Sequence, residues 1–132
     1  MSLTLLKEGG IFMLEKTDIE KIEKIKSDYM FIHESFISRG SKAYESFLKL
    51  ATEATKDDSL PKMYKELIAV GISAFHNCEP CIYWHIKESL KNGASDAQVV
   101  EAIDVAIEMG GGPVVARSSF AFKVLEYFKN KK

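Results

Sequence analysis

The sequence has almost no excess of charge of either sign. Its 18 Lys and Arg residues are matched by 19 Asp and Glu residues, which gives a formal net charge of -1 at pH 7. A nucleic-acid-binding surface or a polybasic membrane patch requires clustered cations, and here the two signs are interspersed along the chain. We therefore expect no nucleic acid partner and no membrane partner.

The sequence also lacks a long apolar run. No segment approaches the ~20 apolar residues that a membrane-spanning helix needs, and the N-terminal MSLTLL is too short for the core of a signal peptide. We therefore expect a cytoplasmic protein. In that compartment a close cysteine pair is more often redox-active or metal-binding than a static disulfide.

Residues 1–12 do not resemble the domain that follows them. The codons of KEGG can spell a ribosome-binding sequence just ahead of Met13, and the opening MSL is typical of a cloning remnant. We expect residues 1–12 to be a non-native or disordered leader. Residues 13–132 are predicted to form one domain, because a chain of 132 residues suits a single core that needs no staple.

Sustained strand alternation is absent, and helix signals recur instead. Apolar residues repeat at spacings of three and four, and capping pairs such as Thr17–Glu20 and Ser95–Gln98 precede two of the repeats. The predicted fold is all-α, with about six helices. Their expected ranges are 17–38, 42–56, 62–76, 78–92, 96–109 and 113–128.

Two helical segments, VGISAF (70–75) and AIDVAIEMGGG (102–112), are apolar on most faces. Such helices are buried on several sides, so we expect a homo-oligomer. The sequence GGGP at 110–113 has no preceding strand and no Walker or G-x-G-x-x-G pattern. It is therefore predicted to be a turn between helices and not a phosphate-binding loop.

The two cysteines of the chain lie together in HNCEPCIYWH, residues 76–85. At about 100° per residue, Cys78, Cys81 and His85 fall within an arc of ~60° on one helix face. Pro80 suits a first helical turn, so the pair is predicted at a helix N-terminus, where free N–H groups favour a thiolate. His85, one turn beyond Cys81, is placed to accept a thiol proton. These residues predict a redox dithiol whose Cα atoms are about 4.4–6.8 Å apart.

Other interpretations of this segment remain open. His76, Cys78, Cys81 and His85 could be the four ligands of a structural zinc ion. The cysteines could instead be small buried hydrophobic residues, or His85 a core histidine beside an unrelated dithiol. Glu66 precedes this segment, and its pattern alone favours an exposed surface residue.

The pattern E-x11-C-x2-C-x3-H, formed by Glu66, Cys78, Cys81 and His85, resembles the alkylhydroperoxidase D-like branch of the carboxymuconolactone decarboxylase family. The similarity extends over residues 69–113, roughly a third of the chain. The resemblance implies an all-helical domain that assembles as a trimer or hexamer. It also implies thiol-dependent peroxide reduction, with Glu66 and His85 in a proton relay to the cysteines, so that Glu66 belongs to the site.

One position departs from the family pattern. The best-studied peroxidases of the family carry a histidine just before the second cysteine, where this chain has Pro80. The departure leaves a general disulfide reductase as an alternative to a peroxidase. The decarboxylase branch is not favoured, because its lactone chemistry does not use a Cys-x-x-Cys pair.

The sequence thus predicts an oligomeric oxidoreductase without cofactor or metal. A thiolate, assigned to Cys81, attacks the O–O bond of a hydroperoxide and becomes a sulfenic acid, which Cys78 condenses into a disulfide. A dithiol electron donor, either a lipoyl-bearing or a thioredoxin-like protein, then reduces the pair. The alternatives are a reductase of disulfide substrates and, in a different class, a zinc-stabilised helical binding module.

Overall fold

The computed structural model describes residues 13–131, and in that range it contains helices and no strand. The helices are α1 (Lys16–Ser38), α2 (Lys42–Thr55), α3 (Lys62–His76), α4 (Glu79–Lys91), α5 (Asp96–Gly110), α6 (Gly112–Arg117) and α7 (Ser119–Lys129). The all-α prediction is confirmed. The leader predicted at residues 1–12 lies outside the described residues.

The last predicted helix is divided in two at Ser118. The hydroxyl of Ser118 is buried and donates to the carbonyl of Val114, one turn earlier, at 2.7 Å. A serine that bonds back in this way competes with the backbone ladder and often bends a helix. The apolar repeat continues through Ser118, so the sequence pattern did not reveal the break between α6 and α7.

The two predicted capping pairs have different outcomes. Ser95 and Gln98 form the expected capping box at the start of α5. At α1, however, the capping box joins Glu15 to Asp18 and not Thr17 to Glu20. The prediction for α1 was wrong because two acceptable capping patterns overlap there, offset by two residues.

The core lies where α3, α4, α5 and α7 meet. The branched aliphatic residues at its centre are essentially inaccessible: Ile22, Val70, Ile82, Ile86, Val99, Ile103 and Val124. Each such side chain stabilises the fold by about 1.5–3 kcal/mol through its burial. The hairpin of α3 and α4 is therefore held between packed helices, and that hairpin contains the cysteine segment.

The second half of α1 and all of α2 form what we call the helical arm, residues 30–55. Of the described residues in α1 and α2, only Ile22 is buried. Phe36 and Tyr44 stack with their ring centroids 4.5 Å apart and hold the two helices of the arm together. Large apolar residues are left exposed on it: Met30, Phe31, Ile32, Ile37, Phe47 and Leu50.

None of the helices within residues 13–131 is long and apolar enough to cross a membrane.

Candidate active site

The cysteine segment begins at a sharp reversal between α3 and α4. Asn77 adopts the left-handed conformation, with φ 55° and ψ 40°, which asparagine tolerates better than most residues. The N–H of Cys78 then donates to the carbonyl of Ser73 at 3.1 Å. This turn places Cys78 at the N-cap of α4, where its Sγ accepts a hydrogen bond from the N–H of Cys81 at 3.3 Å.

Cys78 and Cys81 are joined by a disulfide, with their Cα atoms 5.2 Å apart. That separation lies within the range expected from the sequence. Both residues are only partly buried. The pair therefore has the proximity that a reversible disulfide requires, in residues that keep part of their surface exposed.

His85 and Glu66 are brought into direct contact across the α3–α4 hairpin. His85 Nδ1 lies 2.7 Å from Glu66 Oε2. A carboxylate at this distance accepts the Nδ1 hydrogen and fixes the tautomer, which leaves Nε2 as the basic nitrogen. His85 lies one turn beyond Cys81 on α4, and Glu66 orients its imidazole.

Glu66 is only 2% exposed, so the surface position favoured by its sequence pattern was wrong. Its stripe on α3 also contains Val70 and Ser73, and both are buried. This shared helix face was the feature of the sequence that could have predicted the burial of Glu66. Lys62 Nζ lies 3.9 Å from its second carboxylate oxygen, so both oxygens of this buried acid have a polar neighbour.

Tyr29 is a neighbour of the cysteine segment that sequence reasoning missed. Its hydroxyl donates to the carbonyl of Pro80, between the two cysteines, at 2.9 Å. Its ring lies beside that of Trp84, with centroids 5.4 Å apart. Burial raises the pKa of Tyr29 above its usual value of 10.0, so the hydroxyl keeps its proton for this bond. Tyr29 thus fastens α1 to the first turn of α4.

The four zinc ligands considered for this segment are not gathered. Within residues 13–131, no three His, Cys, Asp or Glu side chains converge on a point where a metal ion could sit. His76 is exposed at the end of α3 and its ring lies against that of Phe75. Cys78 and Cys81 are instead bonded to each other, and His85 contacts Glu66.

Comparisons with known proteins show which proteins the chain resembles. Residues 41–124, which include the whole candidate site, match the carboxymuconolactone decarboxylase family. An uncharacterised protein of Cupriavidus necator is 38% identical over 86 residues, which is 65% of this chain and 74% of that protein.

Crystal structures of similar proteins share the fold. A carboxymuconolactone decarboxylase family protein of Legionella pneumophila has 32% identity and a TM-score of 0.74, over 84% of this chain and 96% of that chain. A family protein of Thermotoga maritima, for which a part in an antioxidative response has been suggested, has 28% identity. Its TM-score is 0.74, over 81% of this chain and 91% of that chain.

Proposed function

Because the chain belongs to the carboxymuconolactone decarboxylase family, we propose that it is a dithiol oxidoreductase that reduces hydroperoxides. One observation carries the proposal: the Cys78–Cys81 disulfide lies one turn from His85, and a buried Glu66 orients that histidine. A disulfide alone could be structural. A cysteine pair with an oriented base beside it has what thiol chemistry requires.

The first step starts from the reduced pair. His85 Nε2 takes the proton of the Cys81 thiol, and the thiolate attacks the terminal oxygen of the hydroperoxide. The O–O bond breaks, two electrons pass from sulfur to the peroxide, and Cys81 becomes a sulfenic acid. The departing alkoxide takes the proton from the imidazolium and leaves as an alcohol.

The second step forms the bond that joins the two sulfurs. Cys78 attacks the sulfur of the Cys81 sulfenic acid, and the hydroxyl group leaves as water with the proton of the Cys78 thiol. Cys78 caps α4 and Cys81 lies in its first turn, so no large movement is needed. A dithiol donor then restores the pair by two thiol–disulfide exchanges, and we propose a lipoyl-bearing or thioredoxin-like protein for this part.

A general disulfide reductase is a second candidate, and Pro80 is the observation that favours it. An alkoxide needs a proton when it leaves, whereas a thiolate with a pKa of about 8.5 leaves without one. Pro80, in the first turn of α4, can supply no proton between the cysteines. Reduction of a disulfide substrate therefore depends less on a proton donor at this site than reduction of a peroxide does.

The two candidates are separated by measuring substrate consumption with matched donors. Hydrogen peroxide and cumene hydroperoxide are each offered with dihydrolipoamide or reduced thioredoxin, beside a Cys81→Ser control. Peroxide turnover that disappears in Cys81→Ser supports the peroxidase. Turnover only of an added disulfide supports the reductase, and no thiol-dependent turnover of either would contradict both.

We further propose that the protein is a cytoplasmic homo-oligomer, either a trimer or a hexamer. A groove of about 670 Å³ between α3 and α5 supports the assembly. Its walls are mainly apolar and strongly exposed: Tyr64, Ile68, Ile72, Phe75, Val105 and Met109. Surfaces of this composition mark contacts with other protein chains.

A further inference from the structure

One peptide group lies between Tyr29 and the sulfur of Cys78. The hydroxyl of Tyr29 donates to the carbonyl of Pro80 at 2.9 Å. The N–H of Cys81 belongs to the same peptide group, and it donates to Cys78 Sγ at 3.3 Å. Two hydrogen bonds therefore run in series from the tyrosine hydroxyl, through the Pro80–Cys81 peptide, to the first sulfur of the pair.

Pro80 makes this peptide the source of the capping bond to Cys78. An N-cap side chain accepts a hydrogen bond from the N–H of the second or the third helical residue. Cys78 is the N-cap of α4, and the second residue, Pro80, has no N–H. The third residue is Cys81, so the peptide that Tyr29 contacts is the one that caps α4 with a sulfur.

Hydrogen bonds in series strengthen one another. A donor at the carbonyl oxygen polarises the peptide, so the N–H of the same peptide becomes a better donor, by about 10–30% per bond. An ionised thiolate is a stronger acceptor than a disulfide sulfur, because it carries a full charge. The series that begins at Tyr29 therefore stabilises Cys78 more as a free thiolate than as a partner of Cys81 in the disulfide.

Tyr29 is held at this peptide and keeps its proton. Its ring lies beside that of Trp84, with centroids 5.4 Å apart, and Ile22 on the same helix is fully buried. Burial raises the pKa of Tyr29 above its usual value of 10.0. The hydroxyl therefore remains a donor over the pH range in which thiols ionise.

We propose that Tyr29 is a positioning residue for the redox reaction, which stabilises the thiolate of Cys78 through the Pro80–Cys81 peptide. The inference rests on the proposed function, because it concerns the same cysteine pair. When the pair is reduced, a donor thiolate attacks Cys81 Sγ, the bond between the two sulfurs breaks, and Cys78 leaves with the electron pair as a thiolate. The second thiol of the donor then releases Cys81. In sum the donor dithiol becomes a disulfide, its two electrons pass to the pair, and its two protons pass to the cysteines or to water.

The first test measures the ionisation of Cys78 and needs no turnover. Cys81→Ser leaves Cys78 as the single thiol of the chain and keeps the backbone N–H at position 81. Its alkylation by iodoacetamide is followed against pH, with and without Tyr29→Phe. Loss of the hydroxyl should raise the pH midpoint by about 0.2–0.7 unit, since part of the strength of one hydrogen bond to a charged acceptor is lost.

Two controls separate this effect from a general loosening of α1. Ile22→Val removes one buried methyl group from α1 and leaves the Pro80–Cys81 peptide untouched, so the midpoint should not move. In Cys78→Ser, where Cys81 is alkylated instead, Tyr29→Phe should not move the midpoint either, because the series ends at Cys78 Sγ. An unchanged Cys78 midpoint in Tyr29→Phe, or an equal shift in Ile22→Val, would overturn the inference.

The charged groups around the turn are the same with and without Tyr29→Phe or Ile22→Val. They come from all the elements that meet there: Lys21 of α1, Glu66 of α3, Glu79 and His85 of α4, Arg117 of α6 and Lys123 of α7. A shift caused by Tyr29→Phe therefore comes from the lost hydroxyl. Circular dichroism checks that each variant is folded. Replacement of Tyr29 by 3-fluorotyrosine, a stronger donor of the same shape, should lower the midpoint and serves if Tyr29→Phe does not fold.

The second test measures the equilibrium of reduction in the protein with both cysteines. Oxidised protein is equilibrated with mixtures of reduced and oxidised dithiothreitol between pH 7 and pH 9, and the reduced fraction is counted by mass after alkylation. Above the Cys78 midpoint, Tyr29→Phe should make the disulfide about two- to fivefold harder to reduce, and below it the difference should disappear. A difference that does not change with pH would contradict an effect on the thiolate.

The outcomes separate this inference from the proposed function. If the wild type reduces peroxides and Tyr29→Phe changes neither the midpoint nor the equilibrium, the role of Tyr29 is wrong and the redox function stands. If the wild type turns over neither a peroxide nor a disulfide, the redox function is wrong. In that case a midpoint that depends on Tyr29 would still support the hydrogen-bonded series, and an unchanged midpoint would remove it as well.

Discussion

Cys78 and Cys81 are chemically different, although they share one disulfide. Cys78 is the N-cap of α4 and its Sγ accepts the N–H of Cys81. A helix N-terminus stabilises a negative charge there by about 0.3–1 kcal/mol. When a donor thiol reduces the disulfide, Cys78 is therefore the better leaving group. Cys81 lies one turn before His85, which we propose takes its proton. We therefore expect Cys81 to attack the peroxide and Cys78 to resolve the sulfenic acid.

Single cysteine variants test this assignment. Cys78→Ser, treated with peroxide, should retain a sulfenic acid on Cys81, because no neighbouring thiol can condense with it. A dimedone-type probe followed by peptide mass spectrometry will detect that adduct. Cys81→Ser should be labelled weakly. The opposite labelling pattern would exchange the two roles and leave the dithiol cycle intact.

His85 and Glu66 should contribute unequally to the reaction rate. His85→Gln removes the group that takes the proton, and peroxide turnover should fall roughly 10- to 1,000-fold. Glu66→Gln should lower peroxide turnover less. The new amide oxygen can still accept a hydrogen bond from His85 Nδ1, and only the charge that balances an imidazolium is lost. Stopped-flow turnover measures both effects, and circular dichroism checks that each variant is folded. A His85→Gln protein with wild-type turnover would show that the histidine only packs.

The spacing of residues in the sequence predicted the relative positions of some of the side chains at the candidate site and not of others. Cys78, Cys81 and His85 lie on one helix, where a rotation of about 100° per residue determines which residues share a face. Glu66 and Tyr29 act across helices, on partners 19 and 51 residues away in the chain. Periodicity shows which residues share a face but not which two helices meet. The position of Glu66 was therefore expected from a family resemblance alone, and Tyr29 was missed.

At the scale of helices, the candidate site depends on how α1 is attached to α4. The hairpin of α3 and α4 is fixed by the core, whereas α1 has a single buried residue, Ile22. Two contacts hold α1 to the first turn of α4. They are the hydrogen bond from Tyr29 to the Pro80 carbonyl and the ion pair of Lys21 with Glu79. The ion pair is partly exposed and contributes little, whereas Tyr29 is half-buried and also packs its ring beside Trp84, so the tyrosine is expected to be the stronger link.

Tyr29→Phe tests that link. The ring and its contact with Trp84 are kept, and only the hydrogen bond is lost, so the free energy of unfolding should fall by about 0.5–1.5 kcal/mol. Urea unfolding of the oxidised protein measures the difference. Burial raises the pKa of Tyr29 in the folded state, so the contribution of the hydroxyl is complete below the unfolded pKa of about 10 and is lost as the pH rises through the folded value. The gap between the variant and the wild type should therefore be constant near neutral pH and should narrow in alkali. Equal stability of the two proteins near neutral pH would mean that the bond does not hold α1.

For the whole molecule, the distribution of apolar surface gives the proposed oligomer two candidate interfaces. The groove between α3 and α5 and the helical arm are separate surfaces, and both expose large apolar side chains. Monomeric proteins rarely expose contiguous apolar patches larger than a few hundred Å². Two different contact surfaces on one chain are compatible with a closed assembly that contains more than one kind of interface. The apolar segments 70–75 and 102–112 of the sequence contribute to the groove, so its apolar character could be predicted. The exposure of the helical arm could not, because it depends on how α1 and α2 pack against the other helices.

The assembly is tested by sedimentation of the wild type and two charge variants. The wild type should sediment at micromolar concentration with three or six times the chain mass of 14.8 kDa. Met109 is 71% exposed in the groove, so Met109→Glu would bury an unpaired carboxylate between copies and should shift the protein to smaller species. Leu60→Glu adds the same charge at an exposed position in the α2–α3 connection and should leave the mass unchanged. A monomeric wild type would contradict the oligomer. Equal masses for Met109→Glu and the wild type would show that copies meet through another surface, for which the helical arm is the remaining candidate.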